Sequence, residues 1–278
     1  MALEEEKDQP LVSIITPSYN QAQFIEQTIL SVKDQDYPNI EHIVIDGGST
    51  DGTLDILKKY LDSIKWVSEP DEGQSQAINK GFTKAQGEII GWINSDDFYL
   101  PGAVNVAVNA LAESPDIDAI YGYCAKVDEN NKTTEVLKSP EFDRRVIFSN
   151  PCIINQQTVF FRRSLLNKVG LLDESLHYAM DFDLWIRMAK VGEFKLVPEV
   201  LAAYRLTSDC KSVADSQKFW QEVDRIFRRN NEIKINPVYL ALHKSKLIHT
   251  IWDRLRSPLL IKLRNRLFGF WEPDKRNN

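Results

Sequence analysis

The sequence predicts an α/β protein with a mostly parallel sheet flanked by helices, followed by a helical C-terminal extension. Two observations carry this prediction. Over residues 10–125, short apolar segments rich in β-branched residues alternate with segments of helical periodicity, as in successive βαβ units. From residue 212 onward helical patterns dominate. With 278 residues, 43% of them hydrophobic, the chain is long enough to bury the core of one large domain.

The predicted strands share short apolar runs that end at polar turns, and the predicted helices place apolar residues three or four positions apart. The strands cover residues 11–16, 42–45, 65–67, 88–93 and 119–123, and the helices cover residues 21–33, 53–61, 75–84 and 103–112. Beyond them, the patterns predict a hairpin or loop excursion over 126–150, a strand at 158–161, a helix at 183–190 and a strand pair within 194–204.

The net charge of −6 is unevenly distributed along the chain. From residue 243 onward nine Lys or Arg residues stand against three acids, which leaves +6 on this tail and −12 on the rest. The acidic main part argues against nucleic acid as a partner. A basic, partly apolar tail suits an anionic membrane surface, or packing on the catalytic domain or on a second subunit as in a homodimer. Both alternatives stay open at this point.

Three features predict a cytoplasmic protein. The first ten residues are acidic and polar, the opposite of a signal peptide, and no apolar run approaches 18 residues. Cys124, Cys152 and Cys210 are widely spaced without a metal-ligand pattern, so they are expected to be reduced and mostly buried.

Polar segments follow four of the predicted strands, at residues 17–20, 46–53, 68–73 and 94–99. In an open α/β sheet, ligands bind outside the carboxyl ends of the strands. These four segments are therefore expected to form one binding site.

The segment from Asp46 to Thr53 is rich in glycine but does not match a phosphate-binding loop. Ser49 occupies the position of the second glycine in G-x-G-x-x-G, and the Gly-Lys-Ser/Thr of a Walker motif is missing. A carboxylate such as Asp46 is suited to accept a hydrogen bond from a base N–H or from a ribose hydroxyl. The alternative is a tight turn in which Asp51 or Ser49 caps the next helix.

Two adjacent acids, Asp96 and Asp97, follow the most hydrophobic predicted strand. Neighbouring carboxylates at the end of a buried strand repel each other, and a divalent cation relieves that repulsion. Mg²⁺ or Mn²⁺ prefers one or two carboxylates together with phosphate oxygens and water. The alternative is that Asp97 merely caps the following turn.

Asp181 and Asp183 stand beside large apolar residues, where burial raises the pKa of a carboxyl group and suits it to act as a general base. The alternative is that one of them caps the following helix. His177 is the histidine closest in sequence to these acids. The chain contains neither the G-x-S-x-G elbow nor the HExxH zinc motif.

Four segments together resemble the family 2 inverting glycosyltransferases of the GT-A fold, such as those of bacterial polysaccharide and lipopolysaccharide synthesis. The segments are TPSYN at 16–20, DGGSTDGT at 46–53, NSDD at 94–97 and DFDLW at 181–185. The resemblance covers residues 10–205 and implies a metal-dependent hexosyltransferase. Such an enzyme transfers a sugar from a nucleotide-diphosphate donor, UDP-linked in most of the family, to a hydroxyl of a glycan or lipid-linked acceptor. The reaction would take place in the cytoplasm or at the inner face of the membrane.

The resemblance also implies a domain organisation and a role for individual residues. It implies a disordered acidic segment at 1–9, a catalytic domain at 10–210 and a basic helical region at 211–278. The catalytic domain comprises a nucleotide-sugar half at 10–125 and an acceptor half at 126–210. The nucleotide-binding residues implied are Thr16, Pro17, Tyr19, Asp46, Asp71, Asn94 and Ser95. Asp96 would bind Mg²⁺ or Mn²⁺, and Asp181 would be the catalytic base. Supporting roles fall to Asp97, Gln156, Gln157, His177 and Asp183.

The sequence departs from the family pattern at three positions. Asn94 replaces the first acid of D-x-D, Met180 replaces a glutamate beside the base, and Leu206 follows Arg205 where many relatives have a histidine. Two other classes therefore stay open: a nucleotidyltransferase on a related sheet, and a non-catalytic module that binds nucleotide sugars. The first normally carries a glycine-rich, basic phosphate loop after its first strand, which residues 17–21 lack.

Overall fold

A computed structural model describes residues 9–151, 153–206 and 216–230. The chain divides into two units, Met1–Ala214 and Asp215–Asn278, and each is described by itself. The predictions for residues 1–8, for Cys152 and Cys210, and for the basic tail beyond residue 230 lie outside the described residues. Cys124 lies inside them, and it is buried and unpaired as predicted.

The first part of the sheet is parallel. Its strands lie in the order β3-β2-β1-β4 and alternate along the chain with helices. They are β1 (Val12–Ser18), α1 (Ile25–Lys33), β2 (Ile40–Asp46), α2 (Thr53–Lys59), β3 (Lys65–Ser68), α3 (Gln74–Lys84) and β4 (Ile89–Trp92). Ser18 pairs with Asp46, and Asp46 pairs with Ser68. The carboxyl ends of three strands therefore lie side by side at one edge of the sheet.

The second part of the sheet is mixed. Its elements are β5 (Phe98–Tyr99), α4 (Ala103–Ala112), β6 (Ala119–Val127), β7 (Thr133–Leu137), α5 (Arg144–Ser149), a 3₁₀ turn (Gln156–Thr158), β8 (Phe160–Arg162), α6 (Arg163–Val169), α7 (Met180–Val191) and β9 (Phe194–Arg205). Strand β8 is antiparallel to both β4 and β6, whereas β9 is parallel to β6. Within the described residues, one nine-stranded sheet thus continues from β3 through β4 and β8 to β9 and β5.

Helix α3 packs closely on β1, and this contact positions the helix relative to the edge of the sheet. A Cβ atom at Gly81 would overlap Cγ2 of Ile15, which is completely buried on β1. Glycine at this position therefore allows α3 to approach the sheet. Ile78 of the same helix is also completely buried, so the apolar face of α3 packs in the protein interior. The first turn of α3, which begins at Gln74, follows the loop after β3.

Most predicted elements are confirmed, including the hairpin of β6 and β7, but three details differ. Helix α1 begins at Ile25 and not at residue 21, and the backbone N–H groups of Gln21 and Ala22 before it donate to the side chains of Thr53 and Asp51. The predicted strand pair at 194–204 was wrong, since β9 is a single strand. Pro198 lies in an irregular part of it, where one residue of β6, Gly122, stands opposite three residues of β9. The sequence patterns missed β5, α5 and α6.

The second unit contains helix α8 (Ser216–Arg229). Trp220, Val223, Ile226 and Phe227 are buried side chains of this helix, at the spacing of one helical face. Across the part of the chain that the structure describes, no helix combines the length and apolar character needed to cross a membrane.

Candidate functional site

The loops after β1 and β2 interlock at the carboxyl edge of the sheet. The N–H of Asn20 donates to Oγ of Ser49 at 2.7 Å, and the N–H of Thr50 donates to Oδ1 of Asn20 at 2.9 Å. Asn20 has a φ of 52°, a left-handed conformation that asparagine tolerates better than most residues. The two loops thus form one surface, from which Tyr19 is 62% exposed. Tyr19 is therefore accessible to a flat ligand, as the base-pocket prediction requires.

Asp46 is completely buried and organises the loop that follows β2. Its Oδ2 atom accepts hydrogen bonds from the N–H groups of Gly48 and Ser49, at 3.0 and 2.9 Å, and from Oγ of Ser68 at 2.7 Å. Its Oδ1 atom accepts from Oγ of Ser49 at 2.5 Å. The carboxylate therefore joins the ends of β2 and β3, and Oδ1 has more unused acceptor capacity than Oδ2.

Asp71 lies directly against the loop after β2. A Cβ atom at Gly47 would be 2.7 Å from Oδ2 of Asp71, so the absence of a side chain at Gly47 lets the carboxylate lie in this position. The Oδ1 atom accepts from the N–H of Gly73 at 2.9 Å. A Cβ atom at Gly73 would in turn be 3.4 Å from Nδ1 of His177, which is exposed. Asp71 and His177 thus flank Gly73, although 106 positions separate them in the sequence.

Two of the predicted base-pocket residues lie below the surface. Thr16 is completely buried, and its Oγ1 atom is 2.9 Å from Nε2 of His42. Pro17 is also buried. Among Thr16, Pro17 and Tyr19, only Tyr19 presents its side chain at the surface, so the other two support the pocket from beneath.

His42 makes the stability of the fold depend on pH. Burial lowers the pKa of His42 from 6.5 to about 3, so the folded protein keeps this imidazole neutral. In the unfolded chain the imidazole binds a proton with a pKa of 6.5. The contribution of His42 to the free energy of unfolding is therefore fully present above pH 6.5 and is lost as the pH is lowered towards 3. Between pH 7 and pH 5 this difference amounts to about 2 kcal/mol. Urea unfolding at both pH values measures the free energy of unfolding. Its decrease from pH 7 to pH 5 should be smaller by that amount in His42→Gln than in the wild type. Equal losses in the two proteins would contradict the expectation.

Asp97 supports the loop after β4 from inside the protein. It is 1% exposed, and its Oδ1 atom accepts from the N–H of Arg205 at 2.9 Å. Its Oδ2 atom accepts from Nε2 of Gln157 at 2.8 Å and from Nδ2 of Asn94 at 3.4 Å. Burial, and then the charge of Asp96, raise the pKa of the Asp97 carboxyl group. Asp97 and Gln157 therefore hold the loop in place and present no group at the surface.

Asn94 makes a set of hydrogen bonds that an aspartate at this position could not make. Its Oδ1 atom accepts from Nε2 of Gln74 at 2.8 Å and from Nε1 of Trp92 at 2.9 Å, while its Nδ2 group donates to Asp97. An aspartate could not donate this bond and would place a further carboxylate beside Asp97. Gln156 donates to the carbonyl of Trp92 at 2.6 Å, so it also stabilises this loop from within.

Asp96 is the half-buried acid of this loop, and Ser95 before it is buried. Within the described residues, no group of three or more His, Cys, Asp or Glu side chains is arranged to hold a metal ion. One carboxylate fits the way Mg²⁺ or Mn²⁺ is bound in nucleotide sites, where substrate phosphates and water complete the coordination. Asp96 therefore fits a cation that arrives with a diphosphate.

Contacts with α3 position the segment that leads to Asp181. Asn79 on α3 accepts from the N–H of Leu172 at 2.9 Å and donates to its carbonyl at 3.0 Å. Ser75 on the same helix donates to the carbonyl of Leu176 at 2.6 Å. The chain then passes His177 and reaches Asp181, in the first turn of α7. The half-buried Asp181 thus belongs to a segment anchored on the helix that follows β3.

Asp183, by contrast, stabilises α7 itself. It is buried, and its Oδ2 atom is 2.8 Å from Nε of Arg187 one turn later. Arg187 also donates to the carbonyls of residues 169–171. The alternative in which one of the acids is the N-cap was wrong, because Ala179 holds that position. Asp183 therefore connects α7 to the end of α6.

Sequence reasoning missed the role of Arg205. This side chain is 1% exposed and contacts the loop after β4, the turn between β6 and β7, and α1. The signal in the sequence was an arginine at the end of an apolar strand, where a charge is unexpected unless it is paired. Its partners lie 74 to 178 positions away and could not be identified from the sequence.

Known proteins resemble this chain in sequence and in fold. The family model described as "Glycosyl transferase family 2" matches residues 13–170. An uncharacterized glycosyltransferase of Rickettsia typhi is 33% identical over 205 residues, and the match covers 71% of this chain and 64% of that protein. The chain thus spans less than two thirds of this relative. TuaG of Bacillus subtilis, a glycosyltransferase named for teichuronic acid biosynthesis, is 30% identical over 228 residues, with 78% of this chain and 90% of TuaG covered.

Solved structures share the fold. Residues 1–349 of TarS from S. aureus, in complex with UDP-GlcNAc, align with a TM-score of 0.67 at 20% identity and cover 93% of this chain and 78% of that one. The mannosyltransferase PcManGT of Pyrobaculum calidifontis, in complex with GDP-Man and Mn²⁺, aligns with a TM-score of 0.65 at 22% identity, covering 96% and 82%. The GT-A expectation is confirmed. Given the family match over more than half of its residues, the chain belongs to glycosyl transferase family 2.

Proposed function

We propose that this protein is a metal-dependent, inverting glycosyltransferase that transfers a hexose from a nucleotide-diphosphate sugar to an acceptor hydroxyl. The observation that carries the proposal is a continuous set of contacts along the carboxyl edge of the sheet. Asp71 packs on Gly47, His177 lies beside Gly73, and Gln74 bonds to Asn94. The loops that carry Asp46, Asp71, Asp96 and the approach to Asp181 therefore form a connected surface.

The donor is proposed to be UDP-linked. The half-buried carboxylate of Asp71 could accept the N–H of a base stacked on the exposed ring of Tyr19, while the completely buried Asp46 holds the loop after β2 in place. TarS was solved with UDP-GlcNAc, which supports uridine, whereas PcManGT was solved with GDP-Man. UDP is therefore proposed, ahead of GDP, as the nucleotide of the sugar donor.

The mechanism assigns separate tasks to Asp96 and Asp181. Asp96 would hold Mg²⁺ or Mn²⁺, which neutralises charge on the departing diphosphate. Asp181 accepts the proton of the acceptor hydroxyl as its oxygen attacks the anomeric carbon from the face opposite the leaving group. One bond to the sugar forms while the bond to the diphosphate breaks, so the configuration inverts. The transition state resembles the oxocarbenium ion of glycoside hydrolysis.

The acceptor is proposed to be a glycan or lipid-linked sugar of a cell-surface polysaccharide, in the cytoplasm at the inner face of the membrane. The name of TuaG supports a polysaccharide product. The nine basic residues from residue 243 onward support an anionic surface nearby.

A panel of UDP-, GDP- and dTDP-sugars with Mn²⁺ tests the proposal. The correct donor at 100 times its dissociation constant should stabilise the protein by about 2.7 kcal/mol in a thermal-shift experiment. Incubation with that donor and an acceptor should release the nucleoside diphosphate. Release of pyrophosphate would identify a nucleotidyltransferase instead, and binding without turnover would identify a binding module. Absence of stabilisation by every member of the panel would contradict the proposal.

A further inference from the structure

We infer that Arg205 is a positioning residue for the cation–diphosphate subsite: it holds the backbone at Asp96 so that the Asp96 carboxylate faces the cation. The inference rests on the proposed function and deepens it.

The guanidinium group of Arg205 joins three separate parts of the fold. Its Nε atom donates to the carbonyl of Asp96 at 2.9 Å. One terminal nitrogen donates to Oδ1 of Asn131 at 2.6 Å, and the other donates to Oε1 of Gln27 at 2.7 Å. The carbonyl of Asp96 is thereby linked to the turn between β6 and β7 and to helix α1.

Two aromatic rings flank this guanidinium group. The ring centroid of Phe24 is 4.7 Å from its central carbon, and that of Phe98 is 5.5 Å away. A guanidinium group stacks on aromatic faces while its edge donates hydrogen bonds, which a lysine ammonium cannot do in the same way. The rings therefore fix the plane of the group, and the plane fixes the direction of the bond to Asp96.

The same loop is held at the neighbouring residues by Thr28 of α1. The Thr28 hydroxyl lies within hydrogen-bond distance of two carbonyls, 2.7 Å from that of Asp97 and 3.0 Å from that of Ser95. The backbone N–H of Arg205 also donates to Asp97. The carbonyl of Asp96 and one of the two carbonyls beside it are thus bonded to buried side chains at any one time, since the Thr28 hydroxyl has one proton to donate. The Asp96 side chain itself is half-buried.

This arrangement has a consequence for metal affinity. Asp97 of this loop is buried, so the half-buried carboxylate of Asp96 is the group that would meet the cation, and its orientation determines how well the cation is held. Residues that orient a ligand typically contribute about 10- to 100-fold to metal affinity or activity. The contribution of Arg205 acts through the backbone of Asp96, without contact with the substrate.

The test compares Arg205→Lys and Thr28→Val with the wild type. Thr28→Val keeps the shape of the side chain and removes only the hydroxyl, so it provides a second variant if Arg205→Lys does not fold. Mn²⁺ binding is measured by electron paramagnetic resonance in the presence of UDP, and UDP binding is measured separately in EDTA. We expect the apparent Kd for Mn²⁺ to rise about 10- to 100-fold in each folded variant, with metal-free UDP binding unchanged.

Arg162→Lys is the matched control, because Arg162 also donates to two backbone carbonyls, those of Ile117 and Leu111, on a different part of the sheet. It should lower Tm without changing the Kd for Mn²⁺. If folded Arg205→Lys and Thr28→Val bind Mn²⁺ as the wild type does, the positioning role is overturned while the proposed function stands. If the wild type binds no Mn²⁺ with UDP, the cation-dependent part of the proposed function fails, and the inference fails with it.

Discussion

Asp181→Asn is expected to lower kcat by about 10²- to 10⁴-fold, the range that a positioned general base contributes. Asparagine has nearly the same shape as aspartate but cannot accept the proton of the acceptor hydroxyl at neutral pH. Donor binding should remain unchanged, because the base acts on the acceptor. Initial rates of nucleoside diphosphate release, together with calorimetric titration of the donor, separate the two quantities.

Asp55→Asn is the matched control for this substitution. Asp55 is also an aspartate in the first turn of a helix, but it is exposed on α2 and pairs with Lys58 at 2.9 Å. The Asp55→Asn protein should transfer sugar at the rate of the wild type. If Asp181→Asn also kept the wild-type kcat, the assignment of Asp181 as the base would be wrong.

Asp96→Asn is expected to remove the part of donor binding that depends on the cation. Loss of the carboxylate leaves a neutral amide, a poorer ligand for Mg²⁺ or Mn²⁺, and the cation supplies several kcal/mol of charge stabilisation at the diphosphate. We therefore expect kcat/KM to fall by at least about 100-fold, which corresponds to about 2.7 kcal/mol. Titration of Mn²⁺ into the protein with UDP should show no saturable binding.

Treatment of the wild type with EDTA should reproduce the effect of Asp96→Asn and should add nothing to it in the variant. This comparison distinguishes loss of a ligand from loss of folding, because the Tm of the variant in EDTA should match that of the wild type in EDTA. Full activity of the wild type in EDTA would show that the reaction needs no cation and would remove this role of Asp96.

The parallel part of the sheet could be predicted because its signals are local. Each strand is a short apolar run, each helix has its own periodicity, and the polar residues that form the site follow directly after the strands. Asp46 and Asp96 were found in this way, since their position after a strand places them at the carboxyl edge. The family resemblance added roles for these residues, but their placement followed from the alternation of strands and helices.

The remaining features depend on contacts between distant residues. Nothing near Asp97 indicates that it accepts from the backbone of Arg205, 108 positions later. The sequence predicted a strand pair within 194–204, yet β9 continues through Pro198, where an irregularity in the pairing accommodates the proline. The burial of Thr16 beside His42 joins two strands whose pairing register no local pattern specifies. In each case the deciding interaction is tertiary and outweighs the local preference.

Strand β9 extends over 12 residues and pairs with both β6 and β5, and β8 connects β6 to β4. The region that carries the donor-site loops and the region that follows it therefore belong to one hydrogen-bonded sheet. Two lobes joined in this way cannot rotate about a hinge without breaking backbone pairing. Within the described residues of the first unit, closure over bound substrates should therefore come from the loops, and the sheet itself should keep the same curvature with and without substrates.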